Sequence, residues 1–356
     1  MSRKAAWILF ATMLLIEAYL GRGAHLFAND EFLGSQKCAS CHSDIASVQL
    51  TSEHARTLRK MKAVPELLKA LPLHFSDRAK AVEYRLEKST LDASGLDLVA
   101  SKDGSTERLQ LIWAFGAGRK GMTFVGRSSS GEYGQGRVSW YERINALDIT
   151  TGGDQEPVRV AHDALGQWLS QKEREECFGC HVTRQAEALP ELIEESNAGV
   201  QCERCHGPGQ KHVEAITLGK TQQGLAIRNP GKFGAAEQLE FCGVCHRAPL
   251  ANLSEAVPDS RTIRFPAQRL VLSLCYDESD GKLKCTTCHN PHENLQESPA
   301  YYDQKCQSCH AGSRSMGSRC PVSGKDCVTC HMPRVPLMKH SDFADHWIRK
   351  IKPAAR

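Results

Sequence analysis

Hydrophobic and polar side chains alternate along much of the stretch between residues 82 and 140. The alternating hydrophobic positions include Val82, Tyr84, Leu86, Leu96, Leu98, Leu109, Leu111, Trp113, Phe115, Met122, Phe124, Val138 and Trp140. A period of two is typical of strands with one buried face. Polar turns at Lys102–Ser105 and Ser128–Gly131 separate these runs. The pattern predicts a small antiparallel sheet, and none of its residues stands out as catalytic.

The beginning of the chain has a different pattern. Ser2-Arg3-Lys4 precede a largely apolar run from Ala5 to Ile16, which is too short to span a bilayer comfortably. A basic start followed by a short apolar run is typical of an export signal, here with cleavage after Ala28. If Tyr19 and Leu20 extend the run, it would instead remain as a single N-terminal membrane anchor. Either interpretation predicts a periplasmic or otherwise extracytoplasmic protein.

Helical signals dominate the second half of the chain. Ser170 and Glu173 form a capping-box pattern, and Ser298-Pro299 opens another helical segment. In the first half, the residues from Val48 to Met61 also predict a helix, which would carry His54. We therefore expect a mainly α-helical fold with many loops and a small antiparallel β insertion in the N-terminal half.

One cysteine motif, C-x-x-C-H, occurs seven times and accounts for fourteen of the sixteen cysteines. The copies are Cys38/Cys41/His42, Cys177/Cys180/His181, Cys202/Cys205/His206, Cys242/Cys245/His246, Cys285/Cys288/His289, Cys306/Cys309/His310 and Cys327/Cys330/His331. We number them motif 1 to motif 7. One motif stands apart in sequence and six are crowded after residue 171. This spacing predicts three segments: a signal or anchor at 1–28, motif 1 with the β-rich insertion at 29–170, and a six-motif domain at 171–356.

The motif has the residues that covalent attachment of haem c needs. Two thiols about one helical turn apart can add to the two vinyl groups of one porphyrin, and the adjacent histidine then ligates the iron. Zinc sites and redox dithiols also use C-x-x-C pairs, but neither needs a histidine at this one offset. Seven copies therefore predict seven covalently bound haem c groups, whose irons are ligated by the motif histidines.

Eight histidines lie outside the motifs, and one of them, His25, falls in the export segment. The other seven are candidates for the second ligand of each iron: His54, His74, His162, His212, His292, His340 and His346. Their number equals that of the motifs, which fits two histidines on every iron, although the equality could be a coincidence. His74 and His162 are the weakest candidates because they lie far from any motif. An iron without a second ligand could bind a substrate.

Two cysteines, Cys275 and Cys320, lie outside the motifs. A mutual disulfide, buried thiols and a thiolate near an iron are the three interpretations of this pair.

Composition and charge narrow the class of partner. Charged residues make up 24% of the chain, hydrophobic ones 41%, and the formal net charge is +4. There is no lysine- or arginine-rich block, so nucleic acids are excluded as expected partners. We expect redox proteins as partners, and a membrane only through an uncleaved N-terminal anchor.

Several segments resemble a family of multihaem cytochromes: Phe32–Cys38, Ser52–Arg56, Cys177–His181, Cys202–Gly209 followed by His212, Cys288–His292 and Cys330–Pro333. They are similar to c-type cytochromes of the superfamily that contains the tetrahaem cytochrome of ammonia oxidisers and hydroxylamine oxidoreductase. The resemblance implies closely stacked haems, mostly ligated by two histidines. It also implies that His54, His212, His292 and one of His340 or His346 are distal ligands.

The chain departs from this superfamily in three respects. Glu53 stands where many relatives have a second histidine. No tyrosine matches the crosslinking residue of hydroxylamine oxidoreductase, and the lysine-bearing motif of pentahaem nitrite reductases is absent. We therefore expect an electron-transfer protein more than a catalyst. The alternative is an oxidoreductase that acts on a small nitrogen or sulfur compound at one five-coordinate haem.

Overall fold

The computed structural model describes residues 31–90, 92, 95–155, 157–184, 193–220, 226–247, 262–311, 320 and 324–350. The predicted export signal and His25 lie outside these residues. The described helices are α1 Ser35–Ala39, α2 Ser43–Gln49, α3 Pro65–Ala70, α4 Ala161–Leu165, α5 Gln171–His181, α6 Cys202–His206, α7 Gln210–Thr217, α8 Ala235–His246, α9 Pro266–Leu270, α10 Leu274–Asp277, α11 Cys285–Cys288, α12 Pro299–His310 and α13 Cys327–His331. Across the described ranges, no helix has the length and apolar character needed to cross a bilayer.

A nine-stranded antiparallel sheet dominates the first half of the structure. Its strands are β1 Leu58–Lys60, β2 Leu73–Asp77, β3 Val82–Lys88, β4 Leu96–Lys102, β5 Ser105–Gly118, β6 Gly121–Ser128, β7 Tyr133–Tyr141, β8 Ala146–Ile149 and β9 Gly166–Trp168. Strands β2 to β8 follow one another in chain order, while β1 pairs with β5 and β9 pairs with β7. The sheet curls so that β2 and β8, at its two ends, come into contact. Two further strands, β10 Arg334–Met338 and β11 Ser341–Ala344, form a separate hairpin.

The expectation of a mainly α-helical fold with a small β insertion is therefore wrong. The alternating runs were recognised, but several strands do not alternate. In β4 the five residues from Leu96 to Ala100 are all buried, and the alternation that starts at Leu96 and Leu98 is lost at Val99 and Ala100. Strands β1 and β9 have only three residues each, which is too short for a periodic signal.

The curled sheet encloses an apolar core. Tyr84, Leu98 and Phe124 are completely buried within it, and α3 and α4 close the cluster. The turn between β4 and β5 has positive φ at Asp103 and Gly104, the conformation of a type I′ hairpin. The sheet thus has a conventional hydrophobic core of its own.

A second apolar cluster joins the sheet to the first motif-bearing helix of the second half. Leu58, Trp113 and Val125 from the sheet pack with Phe178 and Val182 of the α5 region. Since Phe178 lies between the two cysteines of motif 2, the sheet packs directly against that motif.

The six-motif half has little apolar core in its described residues. Its buried cluster consists of Leu239, Ala267 and Leu270. By contrast, Val244, between the cysteines of motif 4, and Leu274 are 69% and 71% exposed. The described residues of this half therefore expose apolar surface beside their motifs.

The local helix predictions had mixed outcomes. The capping box at Ser170 and Glu173 is confirmed at the start of α5, and Pro299 begins α12 as expected. The helix predicted from Val48 to Met61 is wrong. The α2 helix ends at Gln49, a turn segment follows, and Leu58 pairs with Phe115 in the sheet.

Candidate haem-binding sites

The described motifs adopt helical turns that place both cysteines and the histidine close together. Helices α5, α8 and α12 end at the histidines of motifs 2, 4 and 6, and α6, α11 and α13 are single turns at motifs 3, 5 and 7. In motif 1, the backbone N–H of His42 donates to the carbonyl of Cys38 over 2.9 Å, which makes a comparable turn. The local geometry is the one that two thioether bonds to one porphyrin need.

Three of the fourteen predicted attachment cysteines are not enclosed by polypeptide. Cys41, Cys309 and Cys330 are exposed, whereas the other eleven are half-buried. This disagrees with an enclosed attachment site at motifs 1, 6 and 7, and each exposed residue is the second cysteine of its motif. The sulfurs of Cys41 and Cys309 touch the hydroxyls of Ser40 and Ser308, which belong to the same exposed turns. Haem attachment at these three cysteines therefore stays a prediction from the motif spacing, without support from burial.

Four of the motif histidines face a histidine from outside the motifs. The ring centroids are 6.3 Å apart for His42 and His212, 6.1 Å for His54 and His246, 6.0 Å for His206 and His292, and 6.1 Å for His289 and His346. The angles between the ring planes range from 2° to 73°. The separation is therefore common to all four pairs, whereas the relative orientation is not.

A constant separation with variable orientation is what two ligands of one metal would show. An imidazole nitrogen lies about 2 Å from a transition metal and its ring centroid about 1 Å farther out, so centroids of opposed imidazoles are about 6 Å apart. Direct ring packing would instead favour particular angles. The centroid separations of the four pairs are therefore compatible with two imidazoles on one iron.

Hydrogen bonds orient several of these imidazoles. The Nδ1 atoms of the motif histidines His181, His206 and His331 lie 2.8–2.9 Å from backbone carbonyls of Thr57, Arg228 and Arg349. The same contact occurs at His54, 3.0 Å from the carbonyl of Pro291, and at His346, 3.1 Å from that of Ala344. An Nδ1–H that donates to a carbonyl leaves the Nε2 lone pair available to a metal.

Burial keeps several of these imidazoles neutral. Desolvation lowers the pKa of His246 and that of His346 to about 4, and it also lowers the pKa of His181, His289 and His292. A histidine must be neutral to ligate a metal. These five histidines therefore have the required protonation state at neutral pH.

A buried carboxylate fixes the His42–His212 pair. Glu203, between the cysteines of motif 3, accepts hydrogen bonds of 2.8–2.9 Å from the backbone N–H groups of Leu33, Gly34 and Gly209. The first two residues lead into motif 1, and Gly209 precedes α7, which carries His212. Glu203 thus connects the segments that carry both histidines.

A similar link positions His54. The carboxylate of Glu53 accepts hydrogen bonds from Arg119, at the β5–β6 turn, and from the backbone N–H of Leu295, and the Glu53 backbone N–H donates to Asn294. The segment 290–297 follows motif 5 and includes His292. His54 and His212 were candidates from the sequence alone. Glu203 and Arg119, which position them, were not, because their hydrogen-bond partners are distant in sequence.

The other three candidate histidines do not face a motif histidine. His340 Nε2 lies 2.8 Å from a carboxylate oxygen of Asp148, and its ring packs edge-on against Tyr141. His162 stacks on Trp168 with 4.4 Å between ring centroids, and His74 is exposed on β2. The structure thus brings together four of the seven candidates, His54, His212, His292 and His346, with motif histidines.

Neighbouring motifs touch one another. Contacts between thiols join Cys38 to Cys202, Cys180 to Cys245, and Cys242 to Cys285. The Cys38–Cys202 hydrogen bond raises the pKa of Cys38 and lowers that of Cys202 to about 6. In thioether form these sulfurs would not titrate.

The last two motifs are also linked. Both carboxylate oxygens of Asp303, on α12, accept hydrogen bonds from the backbone N–H groups of Asp326 and Cys327.

Near motif 5, Cys275 is half-buried and forms no disulfide with Cys320. Of the three interpretations of this pair, the mutual disulfide is therefore contradicted.

Buried arginines provide a further test of whether haem fits. Arg56 Nε, Arg59 Nε and Nη2, and Arg174 Nε are buried and have no hydrogen-bond acceptor among the described residues. Each haem carries two carboxylates that such nitrogens can bind. No three His, Cys, Asp or Glu side chains converge on one point in the described ranges. Paired imidazoles, exposed apolar side chains and unsatisfied arginine nitrogens together fit haem c.

A family model and a solved structure match this chain. Residues 140–207, which include motifs 2 and 3, match the model of the family described as "Cytochrome c554 and c-prime". The crystal structure of the outer cell wall cytochrome OcwA is similar with a TM-score of 0.48 and 17% sequence identity, covering 89% of this chain and 79% of that one. No functionally curated protein matches the sequence.

The motifs and the family match define the class of protein. The chain is a multihaem c-type cytochrome that binds haem c covalently.

Proposed function

We propose that this cytochrome carries seven haems and transfers electrons between redox proteins outside the cytoplasm. The observation that carries the proposal is the set of four imidazole pairs, each combining one motif histidine with one histidine from elsewhere in the chain. Membership of the superfamily that contains hydroxylamine oxidoreductase belongs to the same proposal, on the sequence segments that resemble it.

Paired neutral imidazoles suit electron transfer. Haem c supplies an iron that gains or loses one electron, and an iron with two histidine ligands can do so without changing its coordination. In this chain, backbone carbonyls hold the Nδ1 atoms of His54 and His346, and burial keeps His246 and His346 neutral. These residues hold the ligands in place before and after a change in charge.

The contacts between motifs support a continuous row of sites. Motif 1 touches motif 3 through Cys38 and Cys202, and motif 4 touches motif 5 through Cys242 and Cys285. Arg204, in motif 3, donates to the carbonyl of Gly179 in motif 2 and to the sulfur of Cys245 in motif 4. Motif 3 is thereby joined to motifs 2 and 4.

The row continues towards the C-terminal part of the chain. Helices α11 and α12, which carry motifs 5 and 6, are in contact, and so are α12 and α13. Asp303 ties motif 6 to motif 7. Each motif therefore neighbours at least one other, as a chain of electron-transfer sites requires.

The proposed location rests on the N-terminal sequence, where Arg3 and Lys4 precede the apolar run from Ala5 to Ile16. Redox proteins as donor and acceptor follow from the proposed activity. Two carboxylates per haem would also reverse the sign of the formal charge of +4.

The proposal is tested on purified full-length protein by haem counting and by electron paramagnetic resonance of the ferric state. We expect seven haems by intact mass and at least four low-spin signals from irons with two histidine ligands. Fewer than seven haems would contradict the attachment of one haem per motif. Predominantly high-spin spectra would contradict the four pairs.

A second candidate function comes from the remaining histidines. Histidines His181, His310 and His331 of motifs 2, 6 and 7 face none of the seven candidates, and His340 is instead engaged with Asp148. An iron at such a motif could bind a small nitrogen or sulfur compound, which favours the oxidoreductase alternative. Adding nitrite, hydroxylamine or sulfite to the ferric protein tests this candidate. A high-spin signal that shifts on addition supports it, whereas a spectrum unchanged by all three contradicts it.

A further inference from the structure

A buried ion cluster lies beside His346. Asp345 is 1% exposed, and its carboxylate accepts hydrogen bonds of 2.8 Å and 2.6 Å from Nε and Nη2 of Arg269. It also accepts a 2.8 Å hydrogen bond from Arg349 and a 3.0 Å bond from the backbone N–H of Trp347. The guanidinium groups of both arginines lie near the Trp347 ring.

One edge of Arg269 remains unsatisfied. Its side chain is 3% exposed, and Nη1 is buried without a hydrogen-bond acceptor among the described residues. A buried donor without a partner costs more free energy than an average hydrogen bond contributes. Arg349 adds a second positive charge, so Asp345 alone does not balance the cluster. The unsatisfied nitrogen and the charge both indicate that an anion completes the cluster.

The cluster is built into the site of motif 5. Asp345 directly precedes His346, whose ring faces that of His289. The Ser273 hydroxyl donates to the backbone carbonyl of His346 and accepts from the backbone N–H of Ile348, which fixes this segment against the turn between α9 and α10. Through Asp345 and Ser273, the cluster that contains Arg269 is therefore joined to the segment that holds His346 opposite His289.

We propose that Nη1 of Arg269 binds a carboxylate of the haem attached at Cys285 and Cys288. This inference rests on the proposed function, because it requires a haem between His289 and His346. A guanidinium group binds two carboxylates well because its five N–H donors point in different directions within one plane. Here one edge holds Asp345 and the other the haem carboxylate.

The alternative is that the ion cluster only positions His346. The two possibilities differ in the sign of their electrostatic effects. If Arg269 lies against the haem, its positive charge stabilises the reduced state, and the negative charge of Asp345 opposes this effect. If the cluster only positions the histidine, removing either residue would disturb the ligand in the same way.

Arg269→Gln and Asp345→Asn separate these possibilities in the holoprotein, with Arg143→Gln at an exposed position as the matched control. Spectroelectrochemical titration should show one haem potential that becomes more negative in Arg269→Gln and more positive in Asp345→Asn. Electron paramagnetic resonance should still show the low-spin signal of that site. Shifts in the same direction, or no shift, would overturn the proposal.

The pH dependence of this potential tests for the carboxylate itself. Arg269 should keep the haem carboxylate ionised, so the wild-type potential should stay constant between pH 5 and 8. In Arg269→Gln the carboxylate loses its cation, and the potential should fall as pH rises through that range. Asp345, Arg349 and His346 are the other titratable groups of this cluster, and Asp345→Asn identifies the contribution of the first. A pH-independent potential in Arg269→Gln would contradict carboxylate binding.

Arg269→Lys covers the case in which neither neutral variant folds. Lysine retains the charge, so we expect the wild-type potential and its pH independence to persist. A potential that is more negative than that of the wild type and depends on pH, as expected for Arg269→Gln, would overturn the proposal. Seven haems and the low-spin signal of the wild type check the proposed function separately. If these are present and the Arg269 variants behave like the control, only the inference about Arg269 fails.

Discussion

Replacing Glu203 tests how the protein holds the His42–His212 pair without changing either histidine. One carboxylate oxygen of Glu203 accepts from the backbone N–H groups of Leu33 and Gly209, and the other accepts from that of Gly34. The side chain is 4% exposed, so water cannot replace these bonds. Glu203→Gln keeps the size of the side chain, while Glu203→Ala removes all three acceptors.

The expected loss of stability follows from the number of bonds. A hydrogen bond to a charged group contributes roughly 1.5–3 kcal/mol, and a buried donor without a partner costs about 1–3 kcal/mol. Glutamine can present its carbonyl oxygen to Leu33 and Gly209, but its NH2 group then faces the N–H of Gly34. We therefore expect Glu203→Gln to lose about 2 kcal/mol of unfolding free energy and Glu203→Ala roughly 4–6 kcal/mol.

The spectroscopic consequence is specific to one site. Since Leu33 and Gly34 precede motif 1 and Gly209 precedes the helix of His212, loss of these bonds should separate His42 from His212. Urea unfolding and electron paramagnetic resonance of the ferric protein measure the two effects, with Glu214→Gln on the exposed side of α7 as control. We expect one low-spin signal to become high-spin in Glu203→Ala. Unfolding free energies and spectra equal to those of the control in both variants would refute this reasoning.

Three further predictions concern other parts of the structure. Gly199→Ala should destabilise the fold by roughly 2–3 kcal/mol in urea unfolding, because φ is +80° and a Cβ there would collide with a backbone carbonyl; stability equal to wild type would refute the close approach. His346→Ala should convert one haem from low-spin to high-spin, whereas His340→Ala should leave the spectrum unchanged, and the reverse result would exchange their roles. Hydrogen bonds from Arg334 lower the pKa of Asp342, so this pair should stabilise the fold above the ordinary carboxyl pKa of 3.8 and lose that effect as pH falls below it. Asp342→Asn should therefore cost about 1 kcal/mol at pH 6 and progressively less as the pH is lowered below 3.8, and a cost that does not change with pH would contradict the ion pair.

The sequence predicted individual elements better than their extent. The alternation from Val82 onward located the sheet, and the capping box located α5, because both signals lie within a few residues of one another. The size of the sheet was underestimated since β4 is buried on both faces and β1 is recruited by pairing with β5. A strand formed by tertiary pairing leaves no periodic pattern of its own.

For the candidate sites too, the sequence predicts the residues whose spacing is local, and it does not predict contacts between distant parts of the chain. The motifs could be read directly because attachment chemistry fixes the spacing of their residues. The partners of the motif histidines could only be proposed as a set, because pairs such as His54–His246 join distant parts of the chain. His162 and His340 have the same residue type as the paired histidines, but contacts with Trp168 and Asp148 hold them elsewhere.

The sheet also contributes to the haem sites, which its sequence pattern alone did not indicate. The backbone carbonyl of Thr57 accepts hydrogen bonds from the N–H of Gly116 in β5, over 2.8 Å, and from Nδ1 of His181, over 2.9 Å. The same oxygen therefore secures the pairing next to β1 and orients the histidine of motif 2. Arg119, at the following turn, holds Glu53 beside His54. Both contacts lie where β1 and the β5–β6 turn meet the six-motif half. An alteration in strand pairing there should therefore change the orientation of the histidines at motifs 2 and 4, while the distant edge strands stay intact.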